Sequence, residues 1–318
     1  MDKIWLSVHL FREGNLDKFI LDFIFPLSNF IISKQLADGF FYIRYGEGGK
    51  HIRLRFYGYN TVLENEVKEL IISRFNNFIA QYPSKTNIPR PPNFFPNDSA
   101  VFIPYIKETR RYGGEYFLVL AEKQFKYSSE AVFQILNINS SITYEEKLGK
   151  AVILHLIFIY RMGLMKDIEL LEFFKLNGKM WTPHACKNLY GVFNLNVRQD
   201  LFIQYASTLD LIKSPIFNAI EFTLFNLSEG SNFDIHWIQS WSDKMRTIKF
   251  RTNILLSENL IFNPNKHNFS GCPKTWSIFS DMMHMTNNRL GILNSDECFL
   301  YYIIFKYFES RNSSYSNF

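Results

Sequence analysis

Hydrophobic and polar residues alternate strictly in one stretch of the chain, FFYIRYGEGGKHIRLRF at positions 40–56. Alternation with a period of two predicts β-strands, and the glycine-rich run between them predicts the turn of a hairpin. One face of the second strand carries His51, Arg53 and Arg55, and Arg44 on the first strand is a candidate to join them. Arginines on a rigid strand suit the binding of carboxylate or phosphate groups. The alternative is a solvated polar face on a half-buried hairpin.

The segments around this hairpin predict the first part of an α+β fold. Pro26 is expected to kink or divide one helix, and Asn60 or Thr61 to cap another. The order β-α-β-β-α-β that results is that of the ferredoxin-like arrangement. The predicted elements are strands at 4–11 and 100–106, helices at 16–35 and 62–82, and a loop rich in proline and asparagine at 83–98.

Apolar residues recur every three or four positions through most of the second half, which predicts helices. Clusters of Asn, Pro and Gly predict loops at 176–196 and 253–274. We therefore expect an α/β portion at 1–114 and a helical portion at 115–318, integrated in one domain. The predicted helices lie at 115–137, 143–162, 166–175, 197–212, 234–252 and 275–309.

Composition narrows the class of protein. The 318 residues are 47% hydrophobic and 20% charged, which supports a large core and excludes general disorder. The net charge of +5 is too small to indicate nucleic-acid binding. Three cysteines without CxxC spacing favour a reducing compartment. We see no signal peptide, and the apolar run at 151–160 is too short for a bilayer, so we expect a cytoplasmic protein without a membrane span.

Three separated motifs together resemble one protein family. The first is the hairpin at 40–56, the second is YIKETRRYGG at 105–114, and the third is HMTNNRLGI at 284–292, followed by ECFLYYIIFKYF. In this order they resemble the C-terminal elimination domain of class I lantibiotic dehydratases, which also occurs as a free-standing protein in thiopeptide-type and split lanthipeptide pathways. The resemblance covers about 5–308. It implies β-elimination of glutamate from glutamylated Ser or Thr of a ribosomal precursor peptide, which leaves dehydroalanine or dehydrobutyrine.

The resemblance also implies the site residues, which we expect to converge on one pocket. The catalytic candidates are Arg53, Arg55, Glu108, Arg111 and His284, and the substrate-binding candidates are Arg44, His51, Ser129 and Thr286. Arginines would bind the carboxylate of the glutamyl group and stabilise the charge that develops during elimination. For Arg111 and Glu108 the alternative is a structural turn with a local ion pair. Ser129 matches a recurring serine of the family, with a role in helix capping or substrate orientation.

The third motif departs from the family pattern at one position. Many relatives read HxHxNRL, with a catalytic role for the second histidine, but this chain has Thr286 there. A threonine hydroxyl cannot act as a base at neutral pH. His284, His51 or Glu108 would then be the base, or the base is lost. A lone histidine on an amphipathic helix is also often a packing residue.

The resemblance implies partners and leaves alternatives open. The large glutamylating domain of the dehydratases does not resemble any part of this chain, so we expect a separate tRNA-dependent glutamylation subunit, and a cyclase can act downstream. We expect no cofactor, no metal, because the remaining histidines lack ligand spacing, and no direct contact with nucleic acid. The alternative functions are a pyridine synthase of a thiopeptide pathway, which joins two dehydroamino acids, and a non-catalytic subunit that binds the precursor peptide.

Overall fold

The computed structural model describes residues 2–84, 91–138, 142–264 and 269–312. They form a small antiparallel sheet and many helices, so the predicted α+β class is confirmed. The chain divides into two compact units. The first unit comprises Met1–Lys107 and Ser128–Ser141, and the second comprises Glu108–Tyr127 and Ile142–Phe318. The sequence pattern predicts a division after position 114. In the structure the first division follows Lys107, and residues 128–141 also belong to the first unit.

The first unit contains a four-stranded sheet in which every pair of neighbouring strands is antiparallel. The strands are β1 (Lys3–Phe11), β2 (Gly39–Tyr45), β3 (His51–Tyr59) and β4 (Ser99–Phe102), in the order β2-β3-β1-β4. The strand β4 is shorter than predicted. Pro104 has no N–H to continue the ladder, and Ile103 makes the last backbone bond, to the Ser7 carbonyl.

Helices follow β1 and β3, and each begins with irregular turns. The segment after β1 comprises α1 (Leu16–Phe19), a π turn (Ile20–Ile24) and α2 (Phe25–Ser33). Pro26 lies at the start of α2. A proline here has no N–H and crowds the preceding turn, so the wide π turn in front of it accounts for the predicted interruption.

The segment after β3 comprises α3 (Asn60–Val62), a second π turn (Leu63–Val67) and α4 (Lys68–Gln81). No side-chain capping bond marks its start, so the predicted cap at Asn60 or Thr61 is wrong. The backbone N–H of Asn60 instead donates to the Asp2 carbonyl. The loop predicted at 83–98 is irregular where it is described, and its residues 85–90 lie outside the described part of the chain.

The remaining helices belong mostly to the second unit. They are α5 (Glu115–Ile138), α6 (Tyr144–Arg161), α7 (Asp167–Tyr190), α8 (Leu195–Glu229), α9 (His236–Ser257), α10 (Lys274–Leu290) and α11 (Asn294–Arg311). The helix α5 starts in the second unit and ends in the first. The predicted loop at 253–274 begins only after α9 ends, and its residues 265–268 are not described.

Three predicted boundaries in this unit are wrong. The helix predicted at 197–212 is α8, which continues to Glu229. Much of the predicted loop 176–196 is helical, because α7 continues through Pro183 and buries Trp181, Ala185 and Cys186 on its inner side. The predicted helix 275–309 is two helices. Gly291 ends α10 with a φ of +83°, a left-handed conformation that only glycine adopts without strain.

Candidate active site

One face of the sheet carries the basic side chains of β3, and we call it the arginine face. Its residues alternate along each strand with a period of two, as the hairpin pattern predicts. They include Ser7, His9 and Phe11 on β1, Phe41, Ile43 and Tyr45 on β2, and His51, Arg53 and Arg55 on β3. The structure therefore brings three of the predicted site residues together on one surface of the first unit.

Arg53 is held mainly by rings. Its guanidinium lies 3.4 Å from the centroid of the Tyr45 ring, and its Nε donates to His51 Nε2 over 3.2 Å. Its guanidinium lies 3.8 Å from a carboxylate oxygen of Glu47, whose side chain is 79% exposed. An aromatic face and a distant, solvated carboxylate neutralise little of a guanidinium charge. Arg53 therefore keeps the capacity to bind a further anion.

His51 is buried and uses both ring nitrogens. Nδ1 donates to the Gly49 carbonyl over 2.7 Å, and Nε2 accepts from Arg53. Burial lowers the pKa of His51, the bond to Gly49 raises it, and the charge of Arg53 lowers it further, with a net decrease. A neutral ring with its lone pair facing Arg53 is a poor base. His51 therefore orients Arg53 and offers no nitrogen of its own to a substrate.

His9 also belongs to the arginine face, although the sequence motifs did not select it. Its ring stacks on that of His51 with the centroids 5.0 Å apart, and it lies opposite Arg53 in the strand register. Burial, followed by the charges of Arg53, His51 and Arg55, lowers the pKa of His9 to about 3. Burial is thus the main reason that His9 stays neutral, and the charges of the two arginines add to it.

Arg55 lies over aromatic rings, like Arg53. Its guanidinium is 4.3 Å from the ring centroid of Tyr105 and 5.2 Å from that of Phe41. Its cross-strand neighbour on β1 is Ser7. Tyr105 opens the second sequence motif, so the first two motifs are in contact within the first unit.

Arg44 lies on the opposite face of the sheet, so the expectation that it joins His51, Arg53 and Arg55 on one face is wrong. It shares its parity with Tyr42 on β2 and pairs in register with Ile52, whose side chain points away from the arginine face. Its guanidinium donates to Asp17 on α1 over 2.6 Å. This ion pair stabilises the helix on the sheet and is unrelated to the arginine face.

Ser129 lies in the middle of α5, so the predicted helix cap is wrong. Its side chain is fully buried, and its Oγ accepts a hydrogen bond from the backbone N–H of Tyr42 over 3.4 Å. The strand β2 is at the edge of the sheet, and an uncovered edge invites pairing with other chains. Ser129 thus helps α5 to cover this edge.

In the second unit, Arg111 is paired with two carboxylates. Its Nη1 is 2.9 Å from Glu108 and its Nη2 is 3.0 Å from Asp281 on α10. Burial opposes the charge on Arg111, but Tyr112, Asp281 and Glu108 outweigh it and raise the pKa of the guanidinium above its usual value. The predicted pair of Glu108 and Arg111 therefore exists, and Asp281 extends it to a triad.

Glycine is required in the turn that carries this triad. Gly113 has a φ of +76°, and a Cβ atom there would lie 2.5 Å from Ile278 Cδ1. Its carbonyl accepts from the Phe262 N–H over 2.7 Å. The backbone thus approaches α10 more closely than a side chain would allow, and this approach places Arg111 within reach of Asp281.

His284 is held by a buried carboxylate on the next helix. Its Nδ1 lies 2.6 Å from Oε1 of Glu297, whose side chain is fully buried, and the Tyr301 hydroxyl donates to Oε2 over 3.1 Å. The Trp181 ring stacks on the imidazole, with centroids 4.9 Å apart. His284 and Asp281 are three positions apart on α10, on adjacent turns of one helix face. This arrangement can orient an imidazole for proton transfer through Nε2.

Thr286 points to the interior of the second unit. It is 2% exposed, its hydroxyl donates to the Met282 carbonyl over 3.0 Å, and it accepts from Gln124 Nε2 over 3.1 Å. Residues two positions apart on a helix point in different directions, so Thr286 does not share the surroundings of His284. Its bonds leave nothing exposed for a substrate, and we give it no role in the proposal below.

Sequence reasoning missed three residues that contact the predicted ones. They are His9 on the arginine face, Asp281 beside Arg111, and Glu297 beside His284. Asp281 had a usable signal, because it precedes His284 by three positions on a predicted helix. Glu297 opens the run ECFLYYIIFKYF and had none, because its partner lies on another helix. That all five predicted catalytic residues meet in one pocket stays a prediction.

The described residues contain neither a metal-ligand cluster nor a membrane-spanning helix. No three His, Cys, Asp or Glu side chains there cluster as the ligands of a metal ion would. No helix in the same part of the chain is both long and apolar enough to cross a bilayer.

Comparison with known protein families matches residues 5–308 to the family described as "Lantibiotic biosynthesis dehydratase C-term". The match extends over nearly the whole chain. This protein belongs to that family. The resemblance inferred from the three motifs is therefore confirmed for this lantibiotic dehydratase C-terminal protein, whereas no curated protein matches it in sequence.

Solved structures share the fold of this lantibiotic dehydratase C-terminal protein. "Pyridine synthase, TbtD, from thiomuracin biosynthesis" superimposes with a TM-score of 0.73 at 12% identity, over 96% of this chain and 98% of that one. TsrL gives 0.68 at 14% identity, over 98% and 96%. The tRNA-dependent lantibiotic dehydratase MibB from Microbispora sp. 107891 gives 0.54 at 16% identity, over 97% of this chain but 28% of that one.

Proposed function

We propose that this protein eliminates glutamate from glutamylated Ser or Thr residues of a ribosomal precursor peptide. The observation that carries the proposal is the contact of His284 with the buried carboxylate of Glu297 at 2.6 Å. It supplies an oriented imidazole on the helix that carries Thr286, which stands where many relatives have the second histidine of the motif. The arginine face supplies cations for an anionic leaving group, and family membership supports the reaction class.

The proposed step is a balanced β-elimination. Nε2 of His284 removes the Cα proton of the glutamylated residue, and the electron pair forms the Cα–Cβ double bond. The bond from Cβ to the ester oxygen breaks, and glutamate leaves as a carboxylate. The imidazolium that forms is stabilised by Glu297, and the negative charge that develops on the peptide carbonyl and the leaving group requires cationic donors.

We assign those cationic roles to Arg53 and Arg55. The contact of Arg53 with the Glu47 carboxylate, at 3.8 Å, is weak, and both guanidinium groups lie over aromatic rings. Arg111 receives a different role, because Glu108 and Asp281 already share its charge. We propose that this triad holds the motif turn against α10, the helix that carries His284.

The proposal includes partners and a compartment. An elimination enzyme needs a precursor peptide that another protein has glutamylated, and MibB, which this chain matches over 28% of its length, is a tRNA-dependent dehydratase. We therefore propose a separate glutamylation subunit in the cytoplasm, with a possible cyclase downstream. We also propose that the first unit is ferredoxin-like, which its strand order β2-β3-β1-β4 supports.

Incubation of the purified protein with a pre-glutamylated peptide tests the function. We expect the mass of the peptide to fall to that of the dehydrated product, with free glutamate released. A His284→Gln variant should leave the glutamylated peptide unchanged. Unchanged peptide with the wild-type protein would contradict the proposal.

A second candidate function is pyridine synthesis. The observation that favours it is the match to TbtD over 96% of this chain and 98% of that one, so each chain spans nearly the whole of the other. The test is a peptide that already contains two dehydroamino acids. Ring closure on that peptide, with a glutamylated peptide left intact, would replace elimination by cycloaddition. If the protein only binds both peptides, the non-catalytic role is the correct one.

A further inference from the structure

We infer that Glu297 is a positioning residue that fixes the tautomer and the direction of His284. The inference deepens the proposed function and rests on it for its catalytic consequence. Its structural basis is independent: the Glu297 side chain is fully buried, and Oε1 lies 2.6 Å from His284 Nδ1. An ionised carboxylate only accepts hydrogen bonds, so Nδ1 must carry the proton and Nε2 the lone pair.

Tyr301 contacts the second oxygen of the Glu297 carboxylate. Its hydroxyl donates to Oε2 over 3.1 Å, so both carboxylate oxygens receive a hydrogen bond. Burial, followed by the Glu297 charge and the hydrogen bond to it, raises the pKa of Tyr301 well above 10, so the hydroxyl remains a donor.

Trp181 restrains the face of the same imidazole. Its ring lies 4.9 Å from that of His284, with an angle of 27° between the planes. Glu297 thus fixes one edge of the imidazole and Trp181 fixes its plane. With the ring held at both, Nε2 is directed away from Glu297, on a side chain that is 17% exposed.

Replacement of Glu297 by Gln tests the tautomer directly. The Tyr301 hydroxyl should retain the amide oxygen, so the NH₂ group faces Nδ1, which then has to accept. ¹⁵N spectra of histidine-labelled protein in alkaline buffer, with His284 assigned through His284→Gln, report which nitrogen is protonated. We expect the proton on Nδ1 in the wild type and on Nε2 in Glu297→Gln.

Two further variants separate positioning from folding. Glu297→Asp retains the charge and should keep the proton on Nδ1, with partial activity. Tyr301→Phe retains the Glu297 carboxylate and should also keep the wild-type tautomer. Circular dichroism checks that each variant is folded. If Glu297→Gln does not fold, Glu297→Asp serves as the test.

The kinetic readout is elimination from a glutamylated peptide. Glu297→Gln should lower the rate by roughly 10²- to 10⁴-fold, the contribution of a positioned general base. If the wild type does not eliminate glutamate, the proposed function fails while the spectra still judge Glu297. A proton on Nε2 in the wild type, or an unchanged tautomer in a folded Glu297→Gln variant, overturns the inference.

Discussion

Arg53 and Arg111 both come from the family motifs, yet their charges are held in opposite ways. Arg53 contacts the Tyr45 ring, a neutral His51 nitrogen and the exposed Glu47 at 3.8 Å. Arg111 contacts two carboxylates, of which Asp281 is 7% exposed. A substrate carboxylate at Arg53 would meet a largely uncompensated cation, whereas at Arg111 it would meet two like charges. The same residue type therefore suits anion binding in the first unit and structural pairing in the second.

Of these two arginines, Arg53 should have the larger effect on elimination. Replacement of Arg53 by Ala removes a charge-assisted contact worth roughly 2–4 kcal/mol in the barrier, so elimination should slow by roughly 30- to 1,000-fold. In a coupled reaction with the glutamylating partner, mass spectrometry should show glutamylated peptide accumulating. Arg55→Ala should behave alike.

Arg53→Lys is the matched control for that experiment. It retains the positive charge but loses the planar fork, so it should recover only part of the rate. If Arg53→Ala eliminates glutamate at the wild-type rate, the leaving carboxylate binds elsewhere, and Arg53 is not the anion-binding arginine.

Replacement of Arg111 should lower the stability of the protein more than it weakens substrate binding. Its replacement by Ala leaves the buried Asp281 carboxylate without this guanidinium, at a cost of about 1–3 kcal/mol in the free energy of unfolding. Urea unfolding measures this loss. The double variant with Asp281→Ala should lose less than the sum of the single losses, because the carboxylate is removed as well. A fully stable Arg111→Ala variant that no longer binds glutamylated peptide would reverse the roles of the two arginines.

Acid should destabilise the second unit through His155. Its Nε2 donates to Asn287 over 2.7 Å, and burial lowers its pKa to about 4, against an opposing effect of the Asn287 bond. The unfolded chain binds a proton below about pH 6.5, and the folded protein does so only near pH 4. Stability should therefore fall by roughly 3 kcal/mol as the pH drops through this window.

His155→Gln sharpens this pH prediction. It lacks the titrating group, so its disadvantage against the wild type in urea unfolding should shrink as the pH falls from about 6.5 to 4. A constant difference between the two proteins across that range would show that His155 does not remain neutral in the folded state.

The smallest effect is expected at Arg44. Its ion pair with Asp17 has side chains 14% and 24% exposed, so Arg44→Ala should cost at most about 1 kcal/mol of stability and leave elimination unchanged. It removes one arginine from the same hairpin as Arg53→Ala does, on the other face. A loss of elimination as large as that of Arg53→Ala would mean that net charge, and not the arginine face, determines the rate.

The hairpin could be predicted because its information is local. Period-two alternation and the glycine turn determine which residues of β3 share a face, and Gly48 and Gly49 both adopt positive φ. The face of Arg44 could not be predicted in the same way. It depends on how β2 pairs with β3 across the turn, and a shift of one residue moves every side chain to the other face.

The second unit was harder to predict because packing decides its helix ends. The segment after position 176 contains Asn, Gly and Pro, yet α7 runs to Tyr190, because Trp181 and Cys186 are buried in the unit. The motif could identify His284 but could not show its partner. Glu297 lies on the following helix, past a turn at Gly291, and only the folded chain brings its carboxylate to the imidazole.

The central claim is that His284 is the base of an elimination reaction, and a single-turnover assay tests it most directly. A purified, pre-glutamylated peptide is mixed with excess wild-type protein or with the His284→Gln variant, and released glutamate and peptide mass are followed over time. We expect rapid loss of glutamate with the wild type and a glutamylated peptide that persists with the variant. Equal rates of release by the two proteins would contradict it.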